Sequence, residues 1–69
     1  MQTLAHAEYL AEVAVEILFS GGDPFDGKVD RVRLQKEIRQ ATLVKLVTQE
    51  SDLLEESEFQ QCLAAARVS

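Results

Sequence analysis

The chain has no tryptophan and only one cysteine, one histidine, one proline and one methionine in 69 residues. A single cysteine excludes an internal disulfide, and with one histidine there is no Cys/His cluster of the kind that holds zinc. No apolar run approaches the ~18 residues a membrane span needs. The opening residues lack a basic stretch and a small-residue cleavage site, so a secretory leader is not expected. What is present is ordinary for a folded domain. Apolar residues make up 46% of the chain, too many for a disordered tail. The expectation is one small cytoplasmic domain spanning residues 1–69.

Size sets the next constraint. A chain this short buries only about 60% of the surface its unfolded form exposes. A single core of this size seldom supplies more than ~3–5 kcal/mol. Disulfides and a structural metal are the usual supplements, and neither is expected here. Association with a second copy or a larger partner is the remaining one.

The turn-forming residues lie in one place. All three glycines and the proline fall in Gly21-Gly22-Asp23-Pro24-Phe25-Asp26-Gly27. Gly21 suits the left-handed position that closes a helix, and Pro24 cannot continue one. Asp23 suits a turn or a cap. Both flanks are rich in strong helix formers. The sequence therefore predicts an all-α fold: a helical hairpin plus a third helix, forming a small three-helix bundle that is expected to be dimeric. The first helix spans about residues 4–19 with Thr3 as its cap, the loop about 20–27, the second helix about 28–48, and the third about 52–67.

The first helix has a narrow polar side, the acidic ridge Glu8, Glu12 and Glu16. The rest is nearly all apolar, an arc of roughly 200° where one core needs about 100°. Such a helix is expected to be contacted on two sides, by two helices of its own chain or by one and a second copy. Leu10, Ala14 and Ile17 are its predicted contact residues. In the second helix, Leu34, Ile38 and Ala41 form an apolar face. Leu43-Val44-Lys45-Leu46-Val47 shifts the apolar groups to another side. That helix ends either near residue 49, with Ser51 or Asp52 capping the next, or near Glu55, with Ser57 to Gln60 opening the third. The earlier break is preferred because it gives helices of matched length. The third helix buries Phe59, Cys62, Leu63 and Ala66 in both cases.

Charge is segregated. Residues 1–27 carry −5, residues 28–45 carry +4 and residues 46–69 carry −4, for the net −5. The simplest expectation is that the basic second helix lies between two acidic segments and the charges meet at the rims, worth ~0–1 kcal/mol per pair. The functional alternative leaves Lys28, Arg31 and Arg39 free to grip carboxylates on a protein partner. Nucleic acid is disfavoured as a partner, because phosphate binding calls for a basic domain.

Chemistry-bearing residues are few. His6 has no neighbouring nucleophile in sequence. Cys62 lies on an apolar stripe, where a free thiol acts as a small hydrophobe. Asp23, Asp26 and Asp30 do not match a calcium loop, whose positions 3, 5 and 12 would fall on Phe25, Gly27 and Leu34. The ridge Glu8, Glu12 and Glu16 lacks the Glu-x-x-His pairing of carboxylate metal sites. Phe25 is expected either to plug the bundle end or, if exposed, to anchor a partner. The expected function is thus a small acidic protein-binding module, an adaptor, regulator or inhibitor, without catalysis, cofactor or metal. The alternatives are a subunit of a larger assembly, such as a phage or secretion particle, and a nucleic-acid-binding regulator using the second helix.

Overall fold

In the computed structural model, which describes residues 3–68, three helices follow one another: α1 (Thr3–Leu18), α2 (Arg31–Gln49) and α3 (Glu56–Ala65). The all-α three-helix bundle is as expected. α2 lies between the other two helices, as the charge pattern suggested. α1 packs on α2 and α3 packs on α2, while among the described residues no Cα of α1 lies within 8 Å of one in α3. Within the chain, the helix touched on two sides is therefore α2. This explains why the apolar residues of α2 follow no single stripe. One set, Leu34, Ile38 and Ala41, serves the core, while the helix as a whole divides its surface between two neighbours.

The loop holds itself. The Asp23 carboxylate accepts from the Phe25 and Gly27 backbone N–H groups, both at 2.8 Å. This Asx-type turn fixes the reversal. The glycine that takes a positive φ after α1 is Gly22 (φ 116°), not Gly21, and its N–H donates to the Phe19 carbonyl. Gly27 is the second such position (φ 76°), where a side chain would strain the backbone.

α2 begins three residues later than the sequence predicted. Lys28 and Val29 are held extended, because Val29 forms an antiparallel bridge with Arg67. The Asp30 N–H donates to Ala66 O and the Val68 N–H to Lys28 O. Asp30 then caps α2, its carboxylate accepting from Val32 N and Arg33 N. Replacing Asp30 with Ala should lower stability by about 1 kcal/mol, read as a shift of the urea midpoint. An unchanged midpoint would mean that the cap is not formed in solution.

The remaining boundaries also move. Thr3 is already helical, so the cap of α1 lies outside the described residues. α2 ends at Gln49, as preferred, with Glu50 left-handed (φ 52°). Neither Ser51 nor Asp52 caps the next helix. α3 starts at Glu56 behind Glu55, and Glu58 accepts the Glu55 N–H at 2.7 Å in a capping box. Residues beyond Ala65 leave the helix for the bridge to Val29, so α3 stops short of Arg67. No described helix is long and apolar enough to cross a membrane.

The core joins all three helices and the bridge: Ala11, Val15, Val29, Leu34, Ile38, Cys62 and Ala66. Ala7 and Ala11 are fully buried, and their small side chains let α2 approach α1 closely. Half-buried Leu18, Phe19, Phe25, Phe59 and Leu63 pack around it. Phe59, Cys62, Leu63 and Ala66 thus lie where the period of the third helix placed them.

Candidate interaction surface

The residues singled out from sequence do not gather in one place. Lys28 is exposed, and its carbonyl accepts in the bridge. The Arg31 guanidinium lies over the Phe19 ring, 5.1 Å from its centroid, an attraction worth about 0.5–1 kcal/mol when exposed. Phe25 is half-buried against the core, its ring 5.7 Å from that of Phe19. Arg39 reaches Glu8 at 3.4 Å. These four residues are partly occupied within the chain, near the loop and on the acidic ridge.

Leu10, Ala14 and Ile17 fall on another side of α1. At 100° per residue, the buried stripe Ala7, Ala11 and Val15 faces α2, and Glu8, Glu12 and Glu16 flank it on one side. Leu10, Val13 and Ile17 lie on the other, turned from the ridge. Ala14 sits between the two and packs against the core. Leu10 and Val13 are half-buried yet stand outside the group packed against the core. Ile17 is 67% exposed and Tyr9, next to it on the outward side, 64%. The α3 backbone stays more than 8 Å from that of α1, and Ile17 is left open to solvent.

Charges meet in part as expected. Besides Arg39–Glu8, Arg33 pairs with Glu37 one turn on, at 3.0 Å. His6 lies 3.6 Å from Asp52, bringing the α2–α3 linker against the start of α1. Glu12 and Lys36 line the same shallow groove of 390 Å³, together with Glu8, Val32 and Arg39, but form no ion pair.

One polar cluster was not foreseen. Lys45 is 6% exposed, and its ammonium donates to Glu58 Oε1, the same oxygen that accepts the Glu55 N–H. The Lys45 hydrogen bond, joined by that of the Glu55 backbone, holds the Glu58 carboxyl below its ordinary range. The only sequence signal was a Glu at the fourth position of a capping pattern. Nothing local told that a lysine flanked by Val44 and Leu46 would point inward while Val44 and Val47 face solvent.

Cys62 is buried beside Leu63 and Ala66, and burial, reinforced by Glu37 and Glu58, pushes its thiol above the usual value. Its reaction with a disulfide reagent at mildly alkaline pH should therefore be much slower than in urea. Equal rates would show that α3 is not docked. Among the described residues, no group of three or more His, Cys, Asp or Glu side chains is placed to hold a metal ion.

The class the fold defines is a small all-α helical bundle. No protein-family model matches the chain, and neither does any curated protein or solved structure.

Proposed function

We propose that this chain is a small acidic protein-binding module that acts through the outward face of α1, without catalysis. The observation that carries this reading is the apolar side Leu10, Val13 and Ile17, half-buried at Leu10 and Val13 and open to solvent at Ile17, on a helix whose opposite side already fills the core. Area supports it. The chain exposes 4888 Å² and measures 36 × 20 × 16 Å. A compact monomer of 7.7 kDa exposes roughly 4300 Å² on the general scaling with mass.

The test is a tagged chain used as bait in native extract, with untagged chain co-expressed. Wild type is compared with Ile17→Glu and with Val47→Glu, a control on exposed α2 surface. The reading expects at least one species, which may be the untagged chain, to be held by wild type and Val47→Glu and lost with Ile17→Glu. Identical captures by all three baits would overturn it.

A further inference from the structure

On the reading of α1 as a contact helix rests a more definite inference: we propose that the occupant of this face is a second copy of the same chain, with the two α1 helices antiparallel. His6, Leu10, Val13 and Ile17 are spaced by four, three and four residues. That is the seam of a left-handed helix pair, in which each side chain enters a gap of the facing helix. A partner must offer the same spacing, and a second α1 does so.

No carboxylate of α1 itself lies on the seam, and the one that reaches it, Asp52 of the α2–α3 linker, sits 3.6 Å from His6 at its end. Glu8 and Glu12 lie on the far side of the helix, so two acidic chains meet here without opposing their charges. Antiparallel pairing matches each copy's Leu10 with the other's Val13, and Ile17 with His6. It sets Glu16 beside the other copy's Tyr9 rather than its Glu16, and it opposes the helix dipoles favourably. The roughly 590 Å² by which the chain exceeds the scaling for a compact monomer is about three quarters of the ~800 Å² per partner in a stable interface.

Light scattering and sedimentation equilibrium over a wide concentration range test the pairing. Wild type and Val47→Glu are expected at twice the chain mass. Ile17→Glu is expected at the chain mass with its helix content kept, its dissociation constant raised about 100-fold or more. Should that variant lose its helix content, Tyr9→Ser, which changes a mostly exposed flanking residue, provides the second reading and should weaken the dimer about 10-fold. Orientation is read from Leu10→Glu and Val13→Lys. Each alone should be monomeric, and an equimolar mixture should recover the dimer, because only the antiparallel pair sets residue 10 against residue 13.

A wild-type chain that stays monomeric throughout would overturn the inference. The binding reading would then still be decided by whether the bait holds another protein through Ile17. A dimer indifferent to both Ile17→Glu and Tyr9→Ser would show a different interface. Failure of the mixture to recover the dimer would overturn the antiparallel register.

Discussion

Replacing Leu34 with Ala should leave the chain largely unfolded at physiological temperature. Leu34 is fully buried (0% exposed) where α2 meets both the α1 side and the α3 side of the core. Truncating a core leucine costs about 2–5 kcal/mol, made up of lost burial and the cavity left behind. A core this small seldom supplies more than ~3–5 kcal/mol in total. The loss is therefore comparable with the whole stability. Far-UV circular dichroism during urea titration reads it directly. Leu34→Met, which nearly keeps the volume, should cost under about 1.5 kcal/mol and remain folded. If Leu34→Ala keeps most of the wild-type midpoint, the core does not centre on this residue.

The second large effect concerns Lys45 and Glu58, and its sign depends on which partner is changed. Glu58→Gln keeps the shape and a carbonyl for the Glu55 N–H but removes the counter-charge. The Lys45 ammonium then stays buried with no counter-charge, and the melting temperature should fall markedly. Lys45→Met removes the need for the pair and fills similar space with apolar atoms. Replacing buried ionic groups in this way is often neutral or stabilising, so this variant should melt at or above the wild-type temperature. The double variant should resemble Lys45→Met rather than Glu58→Gln. Thermal melts of the four proteins decide this, and a Glu58→Gln variant as stable as wild type would show that the pair contributes nothing.

The same pair imposes a pH dependence. The folded-state pKa of Glu58 is lowered from its ordinary 4.5, chiefly by the Lys45 hydrogen bond and then by that of the Glu55 backbone. In the unfolded chain the carboxyl takes up a proton first as pH falls. Its contribution is thus fully present above 4.5 and lost as pH drops below that value through the folded-state pKa. Melting temperatures measured downward from neutral pH should fall in that window, and less so in Lys45→Met, where only the backbone hydrogen bond remains.

Much of the fold was legible because its signals are local. Gly22 and Gly27, with Pro24, break the chain wherever they stand, and Asp23 closes its turn with N–H groups two and four residues away. The apolar spacing of Phe59, Cys62, Leu63 and Ala66 reports one face of one helix. The boundaries that moved did so for non-local reasons. Residues 28–30 stay out of α2 because the Lys28 carbonyl accepts from Val68 N–H and the Asp30 N–H donates to Ala66 O, on either side of the Val29–Arg67 bridge and more than thirty residues away. α3 stops early for the same bridge.

The candidate site divides in the same way. The surplus of apolar surface on α1 follows from its composition alone, as does the position of its acidic ridge. That Ile17 is exposed and Leu10 only half-buried, while Arg31 leans on Phe19 and Arg39 on Glu8, depends on where α2 crosses α1.

By itself, the sequence determined that this protein is helical, where its chain reverses, and that α1 carries more apolar surface than one small core uses. These follow from backbone propensities and from periodicity within single segments. Only the tertiary structure decided that the α1 and α3 backbones stay apart on different sides of α2, and that Lys45 is buried while Val44 and Val47 are exposed. A residue's burial depends on which other helix lies over it. Along α2, two neighbours cover different sides, so its own sequence pattern specifies neither.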